Sequence, residues 1–294
     1  MRSLMAGQLE VRVLQDAGHF ANLCTGWLPL DPFSTNVIGV QLGDVLGGVR
    51  RQGVEDIWIV ALDGTRVVGV AMHTPPYHLF LPRLPPGVAS QIALILVTIG
   101  RVVDGVNGEA SAVAEFVRAW SDRTGGSSSL VTAQRMYRLA RLVAPASTPG
   151  RAQLAGADER DLLIDWLTRF HAEATPGRAG EGMASMVDRR LGASQLWLWW
   201  DRDVPMSVAG HSVPASGVAR VGPVYTPPGH RRCGYGAAVT AAVTDAALRS
   251  GAEHVVLYTD LANPTSNSIY QAIGYVADHQ AEDHKLLTNE GSPG

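Results

Sequence analysis

The chain has few cysteines, no long apolar run and no block of basic residues. Cys24 and Cys233 are its two cysteines, too few for a disulfide framework or a zinc site, so we expect free thiols in a reducing compartment. The longest apolar run, Ile92 to Ile99, is far shorter than the ~20 residues that cross a bilayer, and residues 1–14 contain no continuous secretory core. These absences predict a cytoplasmic protein that does not bind a membrane.

Charge is also scarce, since charged residues make up 17% of the 294 and the formal net charge is -3. Nucleic-acid binding would need a basic patch, which is missing. We therefore expect a small-molecule or protein partner. The 46% of hydrophobic residues is ample for a folded core, and the length fits two domains of ordinary size.

A break in the pattern at residues 145–150, Pro-Ala-Ser-Thr-Pro-Gly, can continue neither a helix nor a strand. It divides the chain into predicted domains 1–144 and 150–287, with a mobile tail at 288–294. Two further segments are predicted in the first domain, a helix at 110–121 and a strand at 130–137. Both domains are therefore mixed α/β.

The second domain alternates strand and helix patterns. A hairpin is predicted from two strands, 195–200 and 205–212, followed by a strand at 218–225 and a helix from about 233 to 250. A buried strand at 254–259 then leads to a short helix that Asn263 caps and Gly274 ends.

The two halves also share residues at the same relative spacing. The matching sets are Asp63, Val70, Ala71 and His73 in the first half and Asp201, Val208, Ala209 and His211 in the second. Each set lies in a strand, turn, strand pattern with a tryptophan just upstream. This predicts a tandem repeat of one fold.

The glycine-rich segment between the 218–225 strand and the following helix is the clearest local motif. It reads Arg231-Arg232-Cys233-Gly234-Tyr235-Gly236, in which main-chain amides and a helix N-terminus can converge on an anion such as a diphosphate. The alternative is a tight strand-to-helix turn and nothing more. The segment matches neither the P-loop nor the dinucleotide fingerprint, because it lacks the P-loop lysine and has Val239 at the third glycine position.

A second motif follows the next strand. Ile269 and Ile273 are four residues apart and should face the core, which turns Asn267 and Tyr270 toward another side of the helix, free to meet a ligand. The alternatives are that Tyr270 is a core aromatic residue and that Asn263 is only a helix cap.

Together the two motifs resemble those of the GCN5-related N-acetyltransferase (GNAT) family. Arg231, Gly234 and Gly236 match the family's Arg/Gln-x-x-Gly-x-Gly/Ala motif. The following motif is matched by Asn263, Ser266, Tyr270, Gly274 and Tyr275. The resemblance is specific over 221–275 and extends more weakly over 151–287. It implies a mainly antiparallel sheet flanked by helices, in two tandem GNAT-like domains, of which the first is a degenerate copy.

The resemblance also implies an activity. The C-terminal domain would transfer an acyl group from acetyl-CoA, as co-substrate and without a metal, to a primary amine. Val224, Tyr225 and Thr226 would pair with the pantetheine arm, and Asn263 and Asn267 would orient it. The diphosphate would be held by the amides of Arg231, Arg232, Cys233, Gly234, Tyr235, Gly236 and Ala237. Tyr270 would protonate the departing thiolate.

The motifs do not identify the group that deprotonates the amine. Many relatives use a glutamate on the strand before the glycine turn, but the 218–225 strand has no carboxylate. His211 and Asp260 are the candidates, and the alternative is that both are structural and water carries the proton. Residues 175–194, with Glu181, Asp188, Arg189 and Arg190, are interpreted as an acceptor-side loop, or as a solvated loop and helix face.

The first half has no Arg-x-x-Gly-x-Gly segment, and Gly105 to Glu109 stands near its expected position, with a carboxylate where donors are needed. Three roles stay open for this half: shaping the acceptor pocket, stabilising the active half, or forming a homodimer. The alternative for the whole protein is a non-catalytic module that binds acyl-CoA as a regulatory or structural ligand.

Overall fold

A computed structural model describes residues 9–145, 147–174 and 182–288. Over these ranges, and apart from short 3-10 turns, both halves have the same order of elements: strand, two helices, three strands, helix, strand, helix, strand. The first half contains β1 (Leu9–Leu14), α1 (Ala17–Cys24), α2 (Asn36–Leu46), β2 (Ile57–Asp63), β3 (Arg66–His73), β4 (Leu79–Leu81), α3 (Val88–Thr98), β5 (Gly105–Glu109), α4 (Ala110–Thr124) and β6 (Ser127–Leu139). The second contains β7 (Arg151–Leu154), α5 (Arg160–Ala174), α6 (Met183–Gly192), β8 (Leu196–Asp201), β9 (Val204–His211), β10 (Val218–Tyr225), α7 (Tyr235–Arg249), β11 (His254–Asp260), α8 (Pro264–Ala272) and β12 (Tyr275–Leu287).

The chain forms two compact units with the same strand order. Unit 1 comprises Met1–Ala133 and Gln280–Gly294, and unit 2 comprises Gln134–His279. In unit 1 the order is β1-β2-β3-β4-β5-β12, and in unit 2 it is β6-β11-β10-β9-β8-β7. β4 and β5 are parallel, as are β10 and β11, whereas the other neighbours in these two series are antiparallel.

The last strand of each repeat contributes to the unit formed mainly by the other half of the chain. Residues 134–138 of β6 pair with β11 in unit 2, and residues 281–285 of β12 pair with β5 in unit 1. The units are therefore interleaved along the sequence, unlike the predicted division at 145–150. Prolines mark where local structure stops, but they do not show which distant strand the preceding segment pairs with.

Each unit has two hydrophobic clusters, one on each face of its sheet. In unit 1, α3 and α4 cover one face and α1 and α2 cover the other. In unit 2, α7 and α8 cover one face and α5 and α6 cover the other. Covering on both faces explains why β2, with the sequence IWIVALD, is buried at nearly every position instead of alternating. The predicted fold, a mainly antiparallel sheet flanked by helices, is confirmed.

The residues shared between the halves lie at equivalent places in two hairpins. The β2–β3 hairpin closes at the Asp63–Arg66 pair and the β8–β9 hairpin at the Asp201–Val204 pair. Both turns contain positive φ angles, which suits tight connections that follow the strand twist. The predicted tandem repeat is therefore confirmed by the fold.

Two predicted segments lie partly outside the described residues. Within the predicted acceptor loop at 175–194, residues 183–192 form α6, and 175–181, including Glu181, lie outside the described residues. Of the predicted tail at 288–294, the structure describes Thr288 alone. No helix in the described ranges is long and apolar enough to cross a membrane.

Candidate active site

The glycine-rich turn ends at the N-terminus of α7, where Gly234 occupies the cap position with φ of 85°. No side chain caps this helix. Within the described part of the chain, the six successive amides from Arg232 to Ala237 donate to no protein acceptor. Unpaired amides at a helix N-terminus carry partial positive charge and bind anions. Among the described residues, this turn thus presents six unpaired main-chain donors at one helix N-terminus of unit 2.

Two glycines let other atoms approach this turn closely. A Cβ on Gly234 would lie 2.7 Å from the Thr148 hydroxyl oxygen, and a Cβ on Gly236 would lie 3.3 Å from that of Thr226. Glycine is therefore required at position 234 for two reasons, because the backbone is left-handed there and because there is no room for a Cβ atom. At Gly236 a Cβ atom would make only a tight contact. The exposed Cys233 and the partly buried Ala237 flank these glycines in the same turn and first helical residues.

The Arg231 side chain is engaged by the protein itself. Its Nη2 lies 2.7 Å from the Glu173 carboxylate, its Nε donates to the Thr226 carbonyl oxygen at 2.8 Å, and its guanidinium lies 5.7 Å from the Tyr225 ring centre. Its amide donates to the Pro228 carbonyl oxygen at 3.3 Å. Arg231 thus braces the turn, and the unpaired amides begin at Arg232. Sequence reasoning missed Glu173, because nothing in the α5 pattern distinguishes it from a solvated residue.

A fork between two parallel strands leads to this turn. β10 pairs with β11 from Val218–His254 to Arg220–Val256 and no further. Beyond that point β11 continues with β6, and β10 continues with β9 as far as Tyr225. The predicted pantetheine residues Val224, Tyr225 and Thr226 all follow the last β10–β11 pair. Their main chain on the side toward β11 is therefore left without a strand partner in the described structure.

Two tyrosines near the turn are fixed by hydrogen bonds. The buried Tyr225 ring packs edge-on against Trp166 and Phe170, and burial, together with Glu173, raises its pKa. Tyr235 donates to Asp201 at 2.9 Å, and this bond raises the pKa of the Tyr235 phenol. The Tyr225 hydroxyl donates to Glu173 at 3.4 Å and the Tyr235 hydroxyl donates to Asp201, so the main chain is what these residues offer a ligand.

The two asparagines of the second motif hold α8 in place. Asn263 accepts the Ser266 amide at 3.0 Å, as a helix cap does. The Asn267 side chain donates to the Asp260 and Asn263 carbonyl oxygens at 3.0 and 2.7 Å and accepts from Tyr137 at 2.8 Å. Asn267 therefore ties α8 to β11 and β6, and its amide is fully used within unit 2.

Tyr270 is buried, with 7% of its surface exposed, so the prediction that it turns away from the core is wrong. Its ring lies 6.5 Å from that of Tyr137 and 6.3 Å from that of Tyr275. Residues of β6 and β12 thus cover the α8 face that the spacing of Ile269 and Ile273 left open. Burial raises the pKa of Tyr270 to about 12, against the opposing effect of its hydrogen bond with Ser266. The phenol is consequently protonated at neutral pH.

The two candidate bases are held by local contacts. His211, at the end of β9, is 7% exposed, and its Nδ1 lies 3.0 Å from the Ser212 carbonyl oxygen. It pairs with Val221, next to the fork. The exposed Asp260 accepts the Ala262 amide at 2.7 Å and so caps its own turn. Of the two, His211 is the one that the strand register places beside the fork.

The region of unit 1 that is equivalent to the glycine-rich turn is shorter than in unit 2, and it does not lie where the sequence predicted. Gly105 to Glu109 forms β5, the counterpart of β11, so placing the missing glycine motif there was wrong. The counterpart is the segment 82–87 between β4 and α3. Counted from the last parallel strand pair to the following helix, unit 1 has these six residues and unit 2 has the fourteen of 221–234. β4 also pairs with β5 over its whole length, so there is no fork.

A carboxylate occupies the helix N-terminus in unit 1. Gly87 caps α3 with φ of 90°, as Gly234 caps α7. The Glu115 side chain accepts the amides of Gly87 and Ser90 at 3.1 and 2.8 Å. Burial raises the pKa of Glu115, but these hydrogen bonds outweigh it and lower the pKa below its ordinary value. In addition, seven residues after the helix cap, unit 1 has Phe116 where unit 2 has Tyr270.

Comparison with known proteins agrees with this geometry. Residues 207–283 match the family described as FR47-like protein. Over 95% of this chain and 95% of its own, a GCN5-related N-acetyltransferase from Sphaerobacter thermophilus has a TM-score of 0.62 at 18% identity. A GNAT-family acetyltransferase from Colwellia psychrerythraea gives 0.57 at 12% identity, over 95% of this chain and 100% of its own. No curated protein sequence matches the chain.

A third solved structure bears on the tandem arrangement. The tandem GNAT protein from the clavulanic acid biosynthesis pathway covers 97% of this chain and 100% of its own, with a TM-score of 0.52 and 13% identity. The protein is thus of the tandem GNAT fold class, with two copies of the fold in one chain. Its second copy contains the FR47-like segment, so the resemblance inferred from the Arg231 and Asn263 motifs is confirmed.

Proposed function

We propose that unit 2 is an acyl-CoA-dependent N-acyltransferase with acetyl-CoA as its donor. The observation that carries this proposal is the fork between β10 and β11, which opens directly onto the unpaired amides of Arg232 to Ala237. A coenzyme with a diphosphate at one end of an extended, amide-containing arm is complementary to such a path. The donors that the structure contributes here are main-chain amides.

The diphosphate would lie at the N-terminus of α7, held by amides in the segment 232–237, because the Arg231 amide already donates to the Pro228 carbonyl oxygen. The pantetheine arm would pair with the main chain of Val224, Tyr225 and Thr226 on the side that has no strand partner in the described ranges, although the Thr226 carbonyl oxygen already accepts from Arg231. Asn263 and Asn267 would act indirectly, because they fix α8 and hence Tyr270 instead of offering a free amide to the arm. An amide near Val224 would polarise the thioester carbonyl as charge develops on its oxygen.

Tyr270 would supply the proton for the leaving group. The amine nitrogen attacks the thioester carbonyl carbon, the carbon–sulfur bond breaks, and the thiolate takes the Tyr270 proton while the ammonium gives one up. A thiol pKa of roughly 8.5 lies well below the value of about 12 for Tyr270. The transfer is therefore uphill unless burial also raises the thiol pKa or the tyrosinate regains a proton in the same step. The raised pKa nevertheless guarantees that the donor is loaded.

The incoming amine, with a pKa of about 10, must lose a proton before it attacks. Of the two candidates we favour His211, because it pairs with Val221, the first residue after the last β10–β11 pair. The Asp260 carboxylate, in contrast, caps its own turn. A water chain is the remaining route. The acceptor itself is proposed only as a primary amine on a small molecule or a protein.

A second function, binding of acyl-CoA without catalysis, is favoured by one observation. β10 carries no carboxylate, and both candidate bases already have structural partners. Such a module would bind acetyl-CoA at the same fork but would not transfer its acyl group. Unit 1 would bind no coenzyme in either case, because its fork is closed and Glu115 takes the anion position.

Thiol release from acetyl-CoA, measured across a panel of primary amines, separates the two functions. The transferase should show amine-dependent release that Tyr270→Phe abolishes or greatly reduces while leaving coenzyme binding intact. Phe116→Tyr, the reverse change at the equivalent position of unit 1, is the matched control and should leave acetyl-CoA binding and thiol release by the folded protein unchanged. Tight binding without amine-dependent release for any member of the panel would favour the binding module.

A further inference from the structure

An arginine of α6 contacts the main chain of β10 at the fork. Arg190 lies in the last turn of α6, half-buried, and its Nη1 donates to the Gly222 carbonyl oxygen at 2.6 Å. The same helix packs through the fully buried Val187, so the position of Arg190 is set by a rigid element and not by a loop. A permanent positive charge therefore stands against the main chain of β10 two residues after its last pair with β11.

Gly222 lies where the strand ladder is interrupted. The register between β9 and β10 shifts between Val221 and Val224, which makes Gly222 and Pro223 a bulge with no partner residues on β9. Pro223 has no N–H, so the ladder cannot be restored there. The Gly222 carbonyl thus receives from Arg190 a donor that the sheet does not supply.

The opposite strand leaves space for the guanidinium. A Cβ on Gly210 would lie 3.0 Å from Arg190 Nη1 and 2.8 Å from the Gln195 carbonyl oxygen. Gly210 lies between His211 and Ala209, the residues that pair on either side of the bulge. The absence of a side chain at Gly210 and the bond from Arg190 are therefore two parts of one arrangement around the bulge.

We infer that Arg190 is a positioning residue for the proposed reaction: by holding the Gly222 carbonyl it fixes the bulge and aims the following amides at the thioester carbonyl. The inference rests on the proposed function of unit 2. Arg190 is expected to affect the orientation of the thioester carbonyl and not the affinity for the coenzyme, because the diphosphate donors lie at a separate element, the N-terminus of α7. Fixed donors stabilise a developing oxyanion better than mobile ones.

The test is the carbonyl stretching frequency of acetyl-CoA labelled with 13C at the acetyl carbonyl, bound to the full chain, by difference infrared spectroscopy. Wild type should shift this band to lower frequency than free acetyl-CoA. Arg190→Met should lose at least half of that shift while its dissociation constant for CoA stays within about threefold of wild type. Arg189→Met, an exposed neighbour on the same helix, should behave as wild type.

If the Met variant does not fold, Arg190→Gln provides the same comparison with a polar side chain retained on the helix. A folded Arg190 variant that binds acetyl-CoA and keeps the full wild-type shift would overturn the inference, as would a bound wild-type complex with no shift. Failure of the proposed function is distinguishable from both, because wild type would then either bind no acetyl-CoA or bind it without releasing thiol in the presence of any amine of the panel.

Discussion

Replacing Gly234 by alanine tests the geometry of the anion-binding turn through stability alone. At φ of 85° an alanine pays about 1–2 kcal/mol that glycine does not. Its Cβ would also lie 2.7 Å from the Thr148 hydroxyl oxygen, and such overpacking costs typically about 1–3 kcal/mol. The expected loss in the free energy of unfolding is therefore about 2–5 kcal/mol for Gly234→Ala.

The two contributions can be separated by a double-mutant cycle in urea unfolding. Thr148→Ala removes the close contact but not the backbone strain, so in its background Gly234→Ala should cost only about 1–2 kcal/mol. Gly236→Ala is the matched control, since Gly236 has an ordinary helical φ and only a 3.3 Å contact; we expect a change within about 1 kcal/mol. The reasoning is refuted if Gly234→Ala and Gly236→Ala are equally tolerated.

Three further predictions follow from individual residues. Tyr270→Phe should lower the rate of acyl transfer by about 10²–10⁴-fold with CoA affinity unchanged. The wild-type rate should show no fall from loss of the Tyr270 proton between about pH 7 and pH 9. Equal turnover of both proteins in steady-state assays would remove the assigned role. Burial, with the nearby Arg101, lowers the pKa of His73 from 6.5 to about 4. The free energy of unfolding should therefore fall by about 3 kcal/mol as the pH drops from 6.5 to about 4. Unfolding curves measured over this pH range should show that the fall disappears in His73→Gln. The lowered pKa of Glu115 stabilises the folded state above the ordinary pKa of a glutamate, and this stabilisation is lost as the pH falls through the pKa in the folded protein. Glu115→Gln should reduce the loss of stability at acid pH. An unchanged acid-unfolding curve would contradict the contact with Ser90.

The hairpins and the site motifs could be predicted from the sequence because their signals are local. The β8–β9 hairpin follows from apolar strands around Asp201 to Asp203, and α8 from the Asn263 cap followed by Pro264. The tandem repeat was visible through the equally spaced His73 and His211. In each case the residues that specify the structure are close together in the chain.

What could not be predicted depends on contacts between distant segments. The exchange of β6 and β12 between units is a choice of strand partner, which alternation does not encode. The burial of Tyr270 depends on Tyr137, which is 133 residues away. Likewise Glu173 and Arg190 act on the turn and the bulge from helices whose sequences show only ordinary surface charge.

The missing motif of unit 1 was misplaced for a different reason. Unit 1 lacks most of the segment that the motif would occupy. The sequence pattern instead points to Gly105 to Glu109, because this segment contains two glycines. Alignment by elements, with Gly87 matched to Gly234, locates the shortened connection instead.

The central claim is that one unit of this tandem chain presents an open fork and unpaired amides to a coenzyme diphosphate. Isothermal titration calorimetry of the full chain with CoA tests it most directly. We expect one molecule bound per chain, with binding weakened by Gly234→Ala and unaffected by Gly87→Ala, the equivalent change in unit 1. No heat of binding with folded wild-type protein, or two equivalent sites per chain, would contradict the claim.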